Sequence, residues 1–510
     1  MAPEVNASQD TAGAPGQESA RRTTIAFWLL TATLTGAVIM GLELVSFRLY
    51  APYFGYTIYV WGSMISVVMA ALAGGYALGG WLADRSRSDG PLYLTVLASG
   101  IYQLVIVFVV RALLGALWPR GEFTGTVIAT LIIFAPPMTA LAITSPFVIR
   151  LLARAGHVGV TAGKVYALST VGSIAGVLLT TFFLVPRFGT QVTLEILCAV
   201  SVVIGAGGLA VRRRRAVLGL LPLAALLFAP GPKLSAYEIW RAESPYNLVR
   251  VIRTGGFMWL ALNQANYSHT TRKEGALWSG SYQDDFALGP LLVRARRSLV
   301  LGMGAGGSIR ATRLAAPDVQ VDAVEIDPKV VEAAARFFGL RADPAWLRIH
   351  VADARPWLAR DEATYELVHV DLYHGGPYVP FYLVTEEFFR LVRARLAPDG
   401  LLMMNVYDLG KNREILLATG ATLRRVFPSV AVRSRADGSH ILFAFPRERS
   451  AESIRAQLQN AHTDERVLEL ARQAAPDIRE LVPPAGTPVF TDDHAPVDDL
   501  TRRMLAERAR

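Results

Sequence analysis

From residue 25 to about 230 the chain alternates long apolar stretches with short polar loops. The stretches cover residues 25–47, 60–82, 92–118, 125–148, 165–185, 192–211 and 217–230. A helix needs about 20 apolar residues to cross a bilayer core, so the first six predict spanning helices. The seventh has about 13 apolar residues before Pro230, roughly 20 Å at helical rise, which suits an interfacial or re-entrant segment as well as a span. Residues 1–24 carry no such stretch and predict a disordered tail. After residue 230 the period changes. Residues 246–253 and 257–262 alternate as a β-hairpin around Gly255-Gly256. Strands at 298–301, 319–324, 347–351, 366–370 and 401–406 then alternate with helices at 308–315, 328–338, 385–396 and 411–426. Two last strands follow at 430–433 and 440–445. That alternation predicts a parallel, doubly wound α/β sheet. The predicted order is a tail (1–24), a membrane domain of six or seven helices (25–230), a small β region (231–296), an α/β domain (297–449) and a charged helical tail (450–510).

Composition agrees with the pattern. Hydrophobic residues make up 52% of 510 and charged residues 18%, against about 25% charged in soluble domains. Mean hydropathy is +0.34. The single cysteine, Cys198, excludes a disulfide framework and a cysteine-built zinc site, and no metal is expected. Residues 1–230 hold 15 Lys/Arg against 8 Asp/Glu, and the remainder 36 against 34. A basic excess within the apolar half sets membrane topology; it does not point to nucleic acid. Arg21-Arg22, Arg85/Arg87, Arg150/Arg154/Lys164 and the arginines at 212–215 fall on alternate sides, which predicts a multi-pass inner-membrane protein with a cytoplasmic N-terminus. Six spans leave residues 231–510 in the cytoplasm; seven would put them outside. Gly75/Gly79 and Gly172/Gly176 have the spacing of close helix packing, and Glu43, Arg111 and Glu195 are ionisable groups in or near spans.

Candidate chemistry lies in the second half. Gly302, Gly304 and Gly306 follow an apolar strand and open a helix, where glycine lets the backbone approach a ligand. Glu325 ends the next strand, placed to accept both ribose hydroxyls. Asp353 ends the third and can accept from an adenine amino group. Asp371 ends the fourth. Each acid alone could merely cap the helix that follows; the set in order, at the carboxyl ends of parallel strands, points to a nucleoside site. A dinucleotide fits the first features too, while the acid after the third strand favours an adenosyl-sulfonium ligand.

LVLGMGAGGSIRATR, VDAVEIDPKVVEAAARFF, RIHVADARPWL and YELVHVDLY resemble the polyamine aminopropyltransferases, the spermidine synthases. ELVSFRLYAPYFGYTIYVWGSMI, GKVYALSTVGSIAGVLLTTFFLVPRFGT and TDDHAPVDDL resemble the membrane-embedded branch of that family. The resemblance implies a small β-domain before a Rossmann-like, class I methyltransferase-like domain. It implies transfer of an aminopropyl group from decarboxylated S-adenosylmethionine, a co-substrate and not a permanently bound cofactor, to a small amine such as putrescine, releasing methylthioadenosine. By resemblance Asp371 accepts the amine's proton, Asn247 stands where the family has a nucleoside-contacting Gln, and Pro377 is near a pocket-lining proline. The resemblance also allows a homodimer. Tyr282, Gln283 and Asp284 replace the family's Tyr-His-Glu. Ala305 replaces an Asp, and His374 replaces the second acid of D-x-x-D-P. Tyr373, with Tyr378 and Tyr382, predicts an aromatic wall for the substrate. Two other readings stand beside this one: a methyltransferase using intact S-adenosylmethionine on a membrane-associated acceptor, and a transporter or sensor that only binds a nucleoside, for which GGWLADRSR (79–87) speaks.

Overall fold

The architecture is that of a computed structural model, which describes residues 15–55, 57–153, 158–211, 214–228, 234, 236–263 and 268–508. Residues 1–14 of the expected tail, and Arg154, Arg212, Arg213 and Pro230, lie outside the described residues. The chain forms two compact units, Met1–Phe54 with Tyr59–Gly231 and Gly55–Ile58 with Pro232–Arg510.

The first unit is all helical: α1 (Pro15–Phe54), α2 (Ile58–Arg85), α3 (Gly90–Leu117), α4 (Glu122–Ile133), α5 (Ala135–Ala142), α6 (Thr144–Leu152), α7 (Val158–Leu179) and α8 (Val185–Ala210). The first helix starts at Pro15, so residues 15–24 of the expected tail are helical. Among the described residues, five helical segments suit a bilayer by length and composition. The last, Val158–Ala210, has 53 residues, about 80 Å at helical rise, well over twice a core of about 30 Å. It breaks at Gly189, whose φ of 79° and ψ of 173° are not helical. It therefore supplies two of the expected six stretches. The expected single stretch at 125–148 is instead three short helices, α4 to α6. The small residues work as their spacing suggested. A Cβ on Gly172 or Gly176 would overlap the carbonyl oxygens of Thr33 or Ala37 in α1, and one on Gly75 or Gly79 those of Thr139 or Ile143. Gln191 links two of the ionisable residues, accepting from Arg111 (2.6 Å) and donating to Glu195 (3.1 Å).

The seventh stretch is a 3₁₀ helix, Arg214–Phe228, with Pro222 inside. Leu223 and Leu226 pack against Leu97, Leu104, Cys198 and Val202. At about 2.0 Å per residue its 15 residues cover roughly 30 Å. Length in this form therefore does not separate an interfacial segment from a span.

The second unit opens on a four-stranded antiparallel sheet in sequence order: β1 (Glu238–Glu243), β2 (Leu248–Thr254), β3 (Phe257–Leu262) and β4 (Ser268–Lys273). The expected hairpin is β2–β3. Its two-residue turn places Gly255 and Gly256 at φ 57° and 77°, where only glycine is unstrained. A 3₁₀ segment, Tyr282–Leu288, and a short α9 (Gly289–Leu292) lead into β5 (Arg297–Leu301), α10 (Gly307–Ala315), β6 (Gln320–Glu325), α11 (Pro328–Phe337), β7 (Leu347–Val351), α12 (Ala354–Arg360) and β8 (Tyr365–Val370). After these come α13 (Glu386–Arg395), β9 (Leu396–Tyr407), α14 (Glu414–Arg424), β10 (Ser429–Ser434), β11 (Ser439–Phe445), α15 (Ala451–Gln459), α16 (Glu465–Ala474), β12 (Ile478–Glu480) and α17 (Val497–Arg508).

The sheet order is β12-β10-β11-β9-β8-β5-β6-β7, parallel from β9 to β7 and antiparallel beyond. Strand order reverses between β5 and β8, β6 and β7 being added on one side of β5 and β8 and β9 on the other; this is the switch point at which such sheets open a crevice. Apolar clusters pack on both faces, around Phe388, Phe389 and Leu402 on one and Leu367, Met403 and Phe443 on the other.

Candidate functional site

The crevice at the switch point is an open cleft lined by residues from the carboxyl ends of β5, β6, β7 and β8 and from β3 and β4. Its floor is the loop after β5. Gly302 has φ +85°, and a Cβ there would overlap the carbonyl oxygen of Asp371, so the loop and the end of β8 meet closely. Gly304 donates its N–H to Glu325 Oε2 (3.0 Å), and Asp327 N–H donates to Glu325 Oε1 (3.1 Å). Each carboxylate oxygen keeps a second lone pair for a ligand hydroxyl. Burial pushes the Glu325 carboxyl up to about 7, against the pull of those backbone N–H groups.

Asp353 caps α12 and lines the cleft at the same time. Its Oδ1 accepts from Arg355 N–H (3.1 Å) and its Oδ2 from the Tyr382 hydroxyl (3.1 Å). The Arg355 guanidinium is gripped in turn by both oxygens of Asp492 (2.7 and 2.5 Å) and donates to the Tyr382 carbonyl (2.8 Å). The late TDDH motif thus holds the Asp353–Tyr382 wall in place.

At the other end, Asp371 Oδ2 accepts from the Tyr282 hydroxyl (2.9 Å) and Oδ1 from Asn405 Nδ2 (3.1 Å). Burial raises this carboxyl to about 7, although both hydrogen bonds oppose the rise. A carboxyl poised there can hold a cation, or take a proton, near neutrality.

The cleft brings together Asn247, Tyr282, Gly302, Gly304, Glu325, Asp353, Asp371, Tyr373 and His374 from among the candidates. Asn247 also braces the helix start behind it. It donates to Asp327 Oδ2 (3.0 Å) and accepts from Asn263 (3.2 Å). The Tyr373 hydroxyl is tied to β9, donating to the Asn405 carbonyl (3.2 Å) and accepting from Tyr407 N–H (2.8 Å). Burial holds the His374 imidazole below its usual value, with Asp327 opposing.

Four candidates stand elsewhere. Gly306 begins α10 in left-handed geometry, and its missing side chain makes room for Leu340. Pro377 lines a separate apolar pocket with Val379 and Met404, while Pro380 takes the place in the cleft. Gln283 ties down β4, donating to the His269 carbonyl (2.8 Å) and accepting from Thr271 N–H (3.3 Å). Asp284 closes a turn, accepting from Ser279 and Gly280 N–H (3.1 and 2.7 Å).

Sequence reading missed His269 and Asn405. His269 lies on β4 (SHTTRK), which has no apolar alternation to mark it as a strand. Its Nε2 is buried with no hydrogen-bond partner, and burial takes the imidazole down to about 4. Asn405 had a readable signal, a lone amide within the apolar run LLMMNVY.

Residues 282–434 match the spermine/spermidine synthase domain family. A protein of Bifidobacterium longum (strain NCC 2705) named "Probable polyamine aminopropyl transferase" is 28% identical over 290 residues, covering 52% of this chain and 62% of its own. The human eEF1A lysine and N-terminal methyltransferase is 29% identical over 185 residues, covering 33% of this chain and 26% of its own. The chain therefore spans less than two thirds of either relative. A crystal structure described as a probable spermidine synthase from Corynebacterium glutamicum ATCC 13032 superposes with a TM-score of 0.38 at 20% identity, covering 51% of this chain and 97% of that one.

Proposed function

We propose that this chain, whose residues 282–434 match the spermine/spermidine synthase domain, transfers an aminopropyl group from decarboxylated S-adenosylmethionine to an amine. The observation that carries the reading is the division of the cleft. Glu325 and Asp353 offer carboxylates suited to ribose and adenine at one end. Asp371, held by Tyr282 and Asn405, offers a base at the other. The electrophilic carbon is already activated by the sulfonium, so the protein aligns an in-line attack and removes a proton. The attacking nitrogen forms the new N–C bond as the C–S bond breaks. The electron pair stays on sulfur, giving methylthioadenosine, and Asp371 takes the proton.

A second reading, methyl transfer from intact S-adenosylmethionine, is favoured by one feature. By the resemblance, Ala305 replaces an acid that would repel the methionine carboxylate. Its side chain is buried in an apolar cluster and its N–H is bonded to Thr270 Oγ1 (2.9 Å). Calorimetry of the purified chain separates the two. We expect methylthioadenosine and decarboxylated S-adenosylmethionine to bind at least about tenfold more tightly than S-adenosylmethionine, a difference of about 1.4 kcal/mol. The reverse order would favour methyl transfer, and no binding by any of the three would leave a nucleoside-independent role.

The five apolar helical segments are compatible with membrane insertion, and we place the second unit on the cytoplasmic side, where sulfonium donors are made. Fusion of reporters after residue 510 tests this. A cytoplasmically active fluorescent protein should report and a periplasmic phosphatase should stay silent; the opposite pair of signals would establish a seventh crossing by Arg214–Phe228.

A further inference from the structure

The acceptor's class follows from how the acids around the cleft are engaged; the inference rests on the aminopropyl reading and narrows it. Among the described residues of the second unit, three carboxylates line the cleft: Glu325, Asp353 and Asp371. With the first two at the nucleoside, Asp371 alone faces the donor's propylammonium and the attacking nitrogen. The neighbouring acids are held elsewhere. Asp284 closes its turn. Asp285 is buried in ion pairs with Arg433 and, at 3.5 Å, Arg435. Asp327 lies behind Asn247, its oxygens filled by Ser244 (2.6 Å), Asn247 (3.0 Å) and Lys329 N–H (2.9 Å). The segment 264–267 reads Gln-Ala-Asn-Tyr and adds no acid. Two imidazoles, His374 and His269, also line the cleft, near enough that charge on His374 opposes charge on His269. The remaining wall includes Leu260, Leu262, Leu372 and Leu383.

A diamine would bring a third nitrogen cation into this end of the cleft. It would lose water and meet leucine and imidazole instead of a carboxylate, an arrangement that strongly disfavours binding. We propose that the acceptor is an amine with a single amino group on an uncharged, largely apolar skeleton, and that the lack of a carboxylate at position 374, where His374 stands, is what excludes a diamine.

The test uses the full chain in detergent and decarboxylated S-adenosylmethionine, reading methylthioadenosine release with n-butylamine and with 1,4-diaminobutane. The monoamine should be favoured in kcat/KM by about 30-fold or more, the scale set by one unpaired desolvated charge. His374→Asp should raise diamine kcat/KM by about the same factor, whereas His374→Gln should leave the monoamine preference in place. Methylthioadenosine affinity, measured on each variant, reports whether the cleft is still folded. Absence of methylthioadenosine binding in the native chain removes the donor reading and this inference with it. Binding accompanied by equal or better use of the diamine overturns this inference alone. So does a folded His374→Asp that gains nothing with the diamine, or a native chain that turns over neither amine.

Discussion

Asp371→Asn is expected to lower single-turnover transfer by about 10²–10⁴-fold, the usual contribution of a general base, while methylthioadenosine affinity changes by less than about threefold. The asymmetry follows from position. Asp371 closes the end of β8 and is hydrogen-bonded to Tyr282 and Asn405. The carboxylates proposed to hold the nucleoside, Glu325 and Asp353, sit at the ends of β6 and β7. Asparagine keeps the shape and can still accept from Tyr282, so the loop should hold. What is lost is the site for the proton. If the variant keeps full activity and His374→Ala loses it, the base is His374.

The pH dependence gives a second reading of the same group. With its carboxyl raised to about 7 by burial, Asp371 is a competent base only above that value. Native turnover should therefore rise as pH increases through about 7, and the residual rate of Asp371→Asn should not. Stability runs the other way. A carboxyl near 3.9 when unfolded and near 7 when folded binds more protons in the native state between those values. Its contribution is fully present below about 3.9 and is lost as pH rises through about 7. Glu325 follows the same sign. Asp371→Asn should thus melt no lower than the native chain at pH 8, which separates loss of a base from loss of fold.

That Glu325, Asp353 and Asp371 share one cleft was legible because each follows an apolar strand, and a parallel sheet delivers all such ends to one edge. The amine-facing end was not legible in the same way. Tyr282, Gln283 and Asp284 read as a trio, yet they begin a 3₁₀ segment, whose side chains step by about 120°. With Tyr282 aimed at Asp371, its two neighbours turn to β4 and to the Ser279–Gly280 turn. Pro377 and Pro380 share a loop without periodicity, so sequence could not choose between them. The strand bearing His269 hides in a polar run. In the apolar half, composition marked the stretches but not the 3₁₀ form of the last; the break of 125–148 had a readable signal in Pro136 and Pro137 at the start of α5, where proline ends a preceding helix.

Glu325→Ala is expected to abolish measurable methylthioadenosine binding. A carboxylate that accepts from both ribose hydroxyls makes two charge-assisted hydrogen bonds, each worth about 1.5–3 kcal/mol, so their joint loss weakens affinity by about 10²–10⁴-fold. Alanine also strands the Gly304 and Asp327 N–H groups that Glu325 now satisfies. Local unfolding of the glycine loop could therefore imitate the effect. Glu325→Gln removes that ambiguity. Its amide oxygen can keep one of the two N–H bonds, its volume is unchanged, and it lacks the charge and one acceptor. It should bind methylthioadenosine about 10-fold or more weakly with an unaltered melting temperature at pH 6. Native affinity should strengthen as pH rises through about 7, where Glu325 ionises, because the ionised carboxylate is the better acceptor; the Gln variant should show no such rise. A folded Glu325→Gln with native affinity and a native pH profile would remove the nucleoside from this end of the cleft, and the sulfonium-donor reading with it.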